Sequence, residues 1–334
     1  MIKLAINGFG RIGRHTFKVA LKNPELEVVA VNDLTDPRTL AHLLKYDTAY
    51  PEFAGEVSFD EENLIINGKK IRVFAEKEPE NLPWGDLGID VVVESTGVFK
   101  SKEEAGRHLK AGAKRVIISA PAKGEEVSTY LRGVNDEQYE DQEIIDNASC
   151  TTNCAAPVIR VLNDIFGVEK AFLTTVHSYT ADQRLQDAPH KDLRRARAAA
   201  QNMVPTSTGA AIATTKAIPE LEGKFDGISI RVPTLSVSLT DFVAVLKKDA
   251  TVEEINKAFT EASQGYLKDI LAVTNEPLVS SDYIGNSHSA IVDLEFTNVV
   301  GGNLVKVLAW YDNEWGYANR LVEMVEQVGK KLQA

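Results

Sequence analysis

The feature that most limits how this chain folds is a glycine motif near its start. Residues 8–13 read Gly-Phe-Gly-Arg-Ile-Gly, directly after the apolar run Lys3–Asn7 and at the beginning of a helix-like run, Arg11–Lys22. A second apolar run, Glu27–Val31, leads to Asp33, twenty residues beyond the last glycine. A strand, a glycine turn, a helix and a second strand that ends in an acidic residue form the pattern of a dinucleotide-binding βαβ unit.

Each glycine of the motif has a separate physical task. Gly8 permits the tight turn, Gly10 lets a pyrophosphate approach the backbone, and Gly13 lets the helix pack closely on the strand. The helix N-terminus offers free amides and the positive end of its dipole to phosphates, and Asp33 can accept hydrogen bonds from ribose hydroxyls. The sequence therefore predicts a dinucleotide cofactor. The alternative is a purely structural turn with an incidental acidic residue at the strand end.

The rest of the first half continues to alternate strands and helices. Val91–Val93 and Val116–Ile118 are short β-branched runs on either side of a helix-like stretch, Lys102–Ala111. Such runs indicate a parallel sheet with helices on both faces, and the irregular segment Glu56–Val73 is typical of an inserted hairpin. We expect an α/β fold that begins with a Rossmann domain, a doubly wound parallel sheet, over residues 1–149.

The second half, residues 150–313, shows a different pattern. Apolar and polar residues alternate in Leu235–Thr240 and in residues 228–232, which predicts strands with an apolar face on a core and a polar face outward. Gly301-Gly302-Asn303 is a plausible hairpin turn between two further runs. We expect an α+β catalytic domain with a mostly antiparallel sheet, followed by an amphipathic helix within residues 314–334.

The composition excludes several classes of protein. With 334 residues, 44% hydrophobic and 25% charged, the chain is long enough for two globular domains. A formal net charge of −11 argues against nucleic acid or an anionic membrane as a partner. The two cysteines, Cys150 and Cys154, offer neither a disulfide framework nor a four-ligand metal site. With no signal-peptide pattern and no membrane-length apolar run, we expect a cytoplasmic protein without a metal.

Cys150 is the candidate nucleophile. It stands at the start of a helix-like run that continues through Ala155–Phe166, where a helix N-terminus stabilises a thiolate and lowers the thiol pKa. His177 ends a strand-like run just downstream and is the candidate base. The alternative for Cys150 is a small buried apolar residue, which is the interpretation we favour for Cys154.

The other histidines and the basic segment are less informative. His42, His108 and His288 stand in no recognisable group, and we interpret them as surface or capping residues without a functional role. Residues 190–197 form the densest basic segment of an acidic chain. Arginines there suit anion capture, but a solvated face or a subunit contact explains the same segment, and the sequence does not divide these roles.

At this point the motifs carry a family likeness. The chain resembles the phosphorylating glyceraldehyde-3-phosphate dehydrogenase family over essentially its whole length. The matching motifs occupy residues 7–14, 94–99, 119–121, 148–156, 175–180, 190–200, 205–211 and 310–317.

The resemblance implies an activity and an assembly. The activity is the NAD-dependent oxidation of D-glyceraldehyde 3-phosphate with inorganic phosphate to 1,3-bisphosphoglycerate. Cys150 forms a thiohemiacetal and then a thioester, and His177 acts as the base. Similar enzymes are homotetramers in which the stretch from Ser178 to about Met203 lies near a neighbour's cofactor, and in which the C-terminal helix packs back on the first domain.

The resemblance also assigns binding residues. Those implied for the cofactor are Gly8, Gly10, Arg11, Ile12, Gly13, Asp33, Lys77, Ser119 and Asn313. Thr180 and Arg231 are implied for the phosphate of the substrate. The residues implied for the attacking phosphate are Ser149, Thr151, Arg197, Thr208 and Gly209.

Three alternatives remain at the level of sequence. Erythrose-4-phosphate dehydrogenase shares the fold and the Cys/His pair, semialdehyde dehydrogenases share a similar plan, and a non-catalytic dinucleotide-binding protein would keep only the glycine motif. The sequence is also ambiguous about the choice between NAD and NADP. Asp33-Leu34 is typical of NAD-specific relatives, whereas Asp187-Ala188-Pro189 is intermediate between the NAD and NADP patterns. We expect a preference for NAD with residual NADP activity.

Overall fold

A computed structural model describes residues 1–333, which divide into two compact units. The first unit contains residues 1–130, 138–148 and 318–333, and the second contains residues 131–137 and 149–317. The helices of the described chain are α1 (Arg11–Ala20), α2 (Pro37–Lys45), α3 (Trp84–Leu87), α4 (Lys102–Ala105), α5 (Arg107–Lys110), α6 (Cys150–Phe166), α7 (Ala210–Ala217), α8 (Val252–Gln264) and α9 (Trp315–Gln333).

A nine-stranded sheet is the centre of the first unit over the described residues. Its strands are β1 (Ile2–Asn7), β2 (Leu26–Asn32), β3 (Val57–Phe59), β4 (Asn63–Ile66), β5 (Lys69–Phe74), β6 (Val91–Glu94), β7 (Arg115–Ile118), β8 (Ser128–Thr129) and β9 (Ile144–Asp146). The spatial order is β3-β4-β5-β2-β1-β6-β7-β9-β8. The strands β5-β2-β1-β6-β7-β9 of this order all run parallel to their neighbours in that series, as in a doubly wound dinucleotide-binding sheet. The predicted Rossmann sheet is confirmed.

The strand order of this sheet reverses between β1 and β6, and this reversal fixes where a ligand can bind. In open α/β sheets ligands occupy the crevice beyond the carboxyl ends of the strands at such a point. Asn7 and Glu94 are paired residues at those ends. Val91, Val92 and Val93 are fully buried, because a parallel strand is covered on both faces.

The sequence predictions for smaller elements of the first unit were partly right. The segment predicted as an inserted hairpin is one, because β3, β4 and β5 pair antiparallel. The single helix predicted for Lys102–Ala111 is instead two short helices, α4 and α5, with Gly106 as a turn residue between them. The amphipathic C-terminal helix is confirmed: Leu321, Val325 and Val328 of α9 are buried in this unit.

The second unit is built on a seven-stranded sheet within the described residues. Its strands are β10 (Val168–Ser178), β11 (Val204–Ser207), β12 (Phe225–Val232), β13 (Ser238–Leu246), β14 (Leu271–Thr274), β15 (Ala290–Val300) and β16 (Leu304–Tyr311). The order is β11-β12-β10-β13-β16-β15-β14. Strand β10 pairs with β12 and strand β14 with β15 in parallel, and the other adjacent strands pair antiparallel. The prediction of a mostly antiparallel sheet is confirmed.

At Ile228-Ser229 and at the start of β13, the buried set of side chains is the reverse of that predicted. Ile228 of β12 is 42% exposed whereas Ser229 is buried, and Ser238 and Thr240 of β13 are buried as well. The buried hydroxyls have partners, since Thr240 donates to the carbonyl of Ala309 at 3.0 Å. Ser238 and Thr240 therefore share the inner face of β13 with the buried Phe242, Ala244 and Leu246, because their hydroxyls are hydrogen-bonded there. The alternation alone did not show which set faces inward.

The start of β13 was also predicted too early. The alternating run Leu235–Thr240 suggested a strand throughout, but β13 begins at Ser238. Val237 has a φ of +68°, which no strand residue adopts and which is strained for a β-branched side chain. None of the helices within residues 1–333 is long and apolar enough to cross a membrane.

Candidate active site

The glycine motif connects β1 to α1 as a tight turn that only glycine fits at two positions. Gly8 has a φ of +92°, and a Cβ there would lie 2.6 Å from the amide nitrogen of Thr96. A Cβ on Gly13 would lie 2.1 Å from the carbonyl oxygen of Gly8. Gly10 differs, because a Cβ there would meet no atom within 4 Å. Its backbone borders open space, as a close approach by a ligand requires.

That open space is a cavity of about 430 Å³ at the carboxyl edge of the first sheet. Of the residues implied for the cofactor, Gly8, Gly10, Asp33 and Lys77 line it. Phe9 and Thr35 donate their amides to the Asp33 carboxylate at 2.8 and 3.0 Å. The Asp33 side chain is therefore held in the wall of the cavity.

Other predicted cofactor residues lie elsewhere. Arg11, Ile12 and Gly13 belong to the first turn of α1, which no side chain caps, so its amides are available to an anion. The Arg11 guanidinium pairs with Asp47 at 2.6 Å. Ser119 follows β7 and donates its amide to the carbonyl of Glu94.

The sequence analysis missed several polar residues that line this cavity. Asn7, Asn32 and Thr96 stand at or just beyond the carboxyl ends of β1, β2 and β6. Their position directly after apolar runs was a usable signal, because these strand ends meet at one edge of the sheet. The remaining lining residues are Leu34, Glu76, Ser95, Val98 and Phe99.

In the second unit, α6 and β10 bring the candidate nucleophile and base together. Cys150 is the first residue of α6, and Ser149 caps this helix by accepting the amide of Thr152 at 3.2 Å. His177 is near the end of β10 and buried. The Cys150 Sγ lies 3.5 Å from His177 Nε2, within hydrogen-bond reach for sulfur.

The surroundings of His177 keep its Nε2 free to accept a proton. The imidazole Nδ1 lies 2.7 Å from the carbonyl of Ser178 and 2.9 Å from the Arg231 guanidinium. A carbonyl only accepts and a guanidinium only donates, so Nδ1 can hydrogen-bond to just one of them. With the hydrogen on Nδ1, the ring donates to the closer Ser178 carbonyl, Arg231 donates to that same carbonyl, and Nε2 presents a lone pair to Cys150. Burial and then the positive charge of Arg231 lower the pKa of His177 to about 3, which keeps the ring neutral.

The predicted low pKa of Cys150 is not found in this structure. Burial raises the pKa of the thiol, and the charge of Arg231 and the hydrogen bond of Thr151 offset it only in part. The helix start alone is therefore insufficient to ionise this thiol. Cys154 is fully buried, its Sγ lies 3.3 Å from the Thr240 hydroxyl, and burial raises its pKa to about 12, in agreement with the predicted packing role.

A network of buried hydroxyl groups adjoins the Cys150–His177 pair. Tyr311 of β16 lies 2.9 Å from the hydroxyls of both Thr151 and Thr175. Its ring also packs edge-on against His177, with the centroids 6.0 Å apart. The sequence analysis gave no role to Tyr311, although it lies within the matching motif 310–317.

The amide of Asn313 has a fixed orientation in the second unit. Ser178 and Ser238 both donate their hydroxyls to its Oδ1 at 3.0 Å. Since Oδ1 accepts from both, Nδ2 points the other way and remains a donor for a ligand.

The residues implied for anions all belong to the second unit. Arg231 is half-buried and also lies 3.2 Å from the Ser178 carbonyl, and its Nε is buried without a hydrogen-bond partner in the described chain. Thr180 follows β10 and accepts, through its carbonyl, the amide of Gln183. Thr208 and Gly209 precede α7, where Thr208 accepts the amide of Ala210 at 3.2 Å.

The basic segment is largely compensated by acidic residues. Arg197 pairs with Asp187 at 2.8 Å, and its side chain is 63% exposed. Arg195 pairs with Asp182 and donates to the Thr206 hydroxyl. Arg195 thus has a structural task, and Arg197 is the more available cation.

His108 contradicts its interpretation as a surface or capping residue. It is fully buried in the first unit, beside Trp84 and Glu94. Among residues 1–333, no group of three or more His, Cys, Asp or Glu side chains is placed to hold a metal ion.

Comparison with known proteins identifies the family. Residues 2–102 match the model of the glyceraldehyde 3-phosphate dehydrogenase NAD binding domain, and residues 149–313 match the model of the C-terminal domain. The chain is 56% identical to glyceraldehyde-3-phosphate dehydrogenase of Geobacillus stearothermophilus over 332 residues, 99% of each chain. It is 56% identical to that of Thermotoga maritima over 329 residues, 98% of each chain. Both units thus match along nearly their whole length, and the chain belongs to the glyceraldehyde-3-phosphate dehydrogenase family.

Proposed function

We propose that this protein is an NAD-dependent, phosphorylating glyceraldehyde-3-phosphate dehydrogenase. It oxidises D-glyceraldehyde 3-phosphate with inorganic phosphate to 1,3-bisphosphoglycerate, a glycolytic reaction. The observation that carries the proposal is the Cys150–His177 pair, with Sγ 3.5 Å from a neutral Nε2. An aldehyde oxidation through a thioester needs such a nucleophile and base.

The residues of the first unit fit a dinucleotide. The open backbone at Gly10, the uncapped start of α1 and the carboxylate of Asp33 match a pyrophosphate and a ribose diol. When bound, NAD supplies the hydride acceptor for the oxidation. We assign its binding to the residues that the family likeness implies: Gly8, Gly10, Arg11, Ile12, Gly13, Asp33, Lys77, Ser119 and Asn313.

Asp33 also accounts for the preference for NAD. Its carboxylate is fixed by two backbone amides and would meet the 2′-phosphate of NADP if that cofactor bound through the same ribose. Like charges brought together cost several kcal/mol, and a fixed side chain cannot move away to reduce that cost.

Cys150 and His177 divide the covalent chemistry. The sulfur attacks the aldehyde carbon, and the thiol proton passes to Nε2 and from there to the aldehyde oxygen, which gives a thiohemiacetal and leaves Nε2 free again. His177 then accepts the hydroxyl proton of that adduct as it is oxidised to a thioester. Inorganic phosphate attacks the thioester carbonyl, the carbon–sulfur bond breaks, and Cys150 leaves as the thiolate that recovers a proton.

The phosphate groups require cations and donors near this pair. We assign the substrate's own phosphate to Thr180 and Arg231, since the buried Nε of Arg231 is an unused donor. We assign the attacking phosphate to Ser149, Thr151, Arg197, Thr208 and Gly209. Arg197 must leave Asp187 to take part, which costs little because an exposed ion pair contributes only about 0–1 kcal/mol.

The second sheet supports assembly into a homotetramer. Phe172, Ile228 and Val243 are 49%, 42% and 40% exposed on one face of that sheet. They lie on neighbouring strands, because Phe172 pairs with Val243 and Thr174 pairs with Ile228. Exposed apolar side chains grouped among polar ones such as Thr174 and Asp226 are typical of a protein interface, and we propose a second copy of this chain as the partner. We further propose a cytoplasmic enzyme without nucleic-acid or membrane partners, in keeping with its net charge of −11.

A direct assay tests the proposed function. NAD reduction is followed with glyceraldehyde 3-phosphate or erythrose 4-phosphate, each with and without inorganic phosphate. We expect the highest kcat/KM for glyceraldehyde 3-phosphate, with sustained turnover only when phosphate is present. Higher kcat/KM for erythrose 4-phosphate, or turnover independent of phosphate, would contradict the proposal.

A further inference from the structure

A buried polar chain lies directly beneath the cavity of the first unit. His108 of α5 is 0% exposed and the side chain of Glu94 is 1% exposed. The His108 Nε2 lies 3.1 Å from Glu94 Oε2. A buried carboxylate is stable only when its oxygens are hydrogen-bonded, so the partners of Glu94 determine where it sits.

Trp84 fixes the hydrogen position on His108. The indole Nε1 of Trp84 lies 3.0 Å from His108 Nδ1, and an indole nitrogen only donates. Nδ1 is therefore the acceptor, and the neutral ring carries its hydrogen on Nε2. That hydrogen points at Glu94, so the ring is a donor of fixed direction.

Glu94 connects His108 to the wall of the cavity through hydrogen bonds. Its Oε2 also accepts the side-chain amide of Asn7 at 2.5 Å, and its Oε1 accepts the backbone amide of Thr96 at 2.9 Å. Asn7 in turn accepts the amide of Asn32 at 2.7 Å through its Oδ1. Asn7, Thr96 and Asn32 all line the cavity.

The same segment supports the glycine turn. The Ser95 hydroxyl lies 2.7 Å from the carbonyl oxygen of Gly8. A Cβ on Gly8 would lie 2.6 Å from the Thr96 nitrogen, so the turn is packed against the backbone that Glu94 holds. A displacement of Glu94 therefore moves both sides of the cavity.

We propose that His108 is a positioning residue for the cofactor: it donates to Glu94, and Glu94 holds Asn7 and Thr96 in the geometry that NAD requires. The inference rests on the proposed binding of NAD in this cavity. His108 does not itself line the cavity, so its effect is on cofactor affinity rather than on the covalent steps at Cys150.

The test compares His108→Leu with His108→Gln in the full-length protein. Leu keeps the bulk but removes the His108 donor from Glu94 Oε2, which retains Asn7 as its donor, whereas Gln restores an amide donor near Nε2. Calorimetric titration should show the NAD Kd at least about tenfold higher for His108→Leu and within about threefold of wild type for His108→Gln. At saturating NAD, kcat and the KM for glyceraldehyde 3-phosphate should remain near wild type.

A matched control separates positioning from loss of stability. Ile89 is fully buried in the same cluster as Trp84 and belongs to no polar chain, so Ile89→Ala destabilises the unit without touching Glu94. Equal loss of NAD affinity in Ile89→Ala and His108→Leu, or no recovery in His108→Gln, would overturn the proposal.

A second variant covers a failure of His108→Leu to fold. Glu94→Gln keeps the size but brings an amide against the donors of Asn7 or Thr96, and we expect a comparable rise in the NAD Kd. A wild-type Kd for Glu94→Gln would also overturn the proposal. Failure of the wild-type protein to bind NAD would instead refute the proposed function.

Discussion

Substitutions at two glycines of the same motif, Gly13 and Gly10, should separate folding from cofactor binding. In Gly13→Ala the new methyl group would lie 2.1 Å from the carbonyl oxygen of Gly8. Ordinary contact is about 3.5 Å, so the helix and the turn must separate by about 1 Å or more. Overpacking of this kind costs about 1–3 kcal/mol. At 3 kcal/mol the melting temperature falls by roughly 6–12 °C for a domain of this size.

Gly10→Ala should have the opposite result. The methyl group would meet no atom within 4 Å, and Gly10 has ordinary extended backbone angles, φ −71° and ψ −158°. Alanine gains about 0.4–1 kcal/mol from a more restricted unfolded chain but is a poorer N-cap by a similar amount. We expect a melting temperature near wild type. Because Gly10 lines the cavity, the NAD Kd should rise at least about tenfold.

The assay is thermal unfolding without ligand, followed by calorimetric titration with NAD at a temperature where both variants are folded. The interpretation requires that Gly13→Ala has a lower melting temperature than wild type, and that Gly10→Ala keeps the wild-type melting temperature but binds NAD more weakly. Wild-type NAD affinity in Gly10→Ala would refute the assignment of the cavity, and a wild-type melting temperature in Gly13→Ala would refute the packing argument.

Three further predictions concern the titrating groups. His177→Asn removes the base, so kcat/KM for the aldehyde should fall by about 10²–10⁴-fold in steady-state assays, while NAD affinity stays the same; a rate near wild type would refute the role. Because the pKa of His177 is about 3 in the folded protein and 6.5 for an ordinary histidine side chain, the unfolded chain binds more protons between these pH values. In urea unfolding at a series of pH values, the free energy of unfolding should therefore fall as the pH drops below 6.5, by up to about 1.4 kcal/mol per pH unit, and it should fall less steeply in His177→Asn. Equal slopes for wild type and variant would contradict the lowered pKa of His177. Asp33→Asn removes the charge that opposes the 2′-phosphate, so the ratio of kcat/KM for NADP to that for NAD should rise at least about tenfold, and an unchanged ratio would show that another residue selects the cofactor.

The first sheet could be predicted because its signals are local. The glycine turn, the apolar strands and their spacing each constrain the backbone directly, and the strand order then follows from the fold class. The residues behind the turn could not be predicted in this way. His108 lies 14 residues from Glu94 and 101 from Asn7, and only the folded sheet brings these three side chains together.

The second sheet shows the limit of reading alternation alone. The pattern of β12 and β13 has two sets of side chains, and the sequence does not say which set faces the helices. Ser238 and Thr240 face inward because Asn313 and a strand carbonyl offer them hydrogen bonds. Ile228 and Val243 are among the apolar residues that face outward, where we propose that a second copy covers them. Hydrogen-bond partners distant in sequence thus decide which side chains face inward at these positions.

The Cys150–His177 pair could be predicted as a pair but not in its charge state. The helix start at Cys150 suggested a lowered thiol pKa, yet burial raises it and leaves both groups neutral in this structure. The proton must therefore move from Sγ to Nε2 as the bond to the substrate forms. Burial, which a linear pattern does not report, accounts for the difference.

The central claim is that Cys150 carries the acyl group between oxidation and phosphate attack. The most direct measurement mixes the enzyme with NAD and glyceraldehyde 3-phosphate without inorganic phosphate, then quenches in acid and locates the added mass by peptide mass spectrometry. We predict a phosphoglyceryl thioester on Cys150, a matching burst of NADH, release of the acyl group when phosphate is added, and neither signal in Cys150→Ser. An undiminished burst in Cys150→Ser, or an acyl group attached to another residue, would contradict the account.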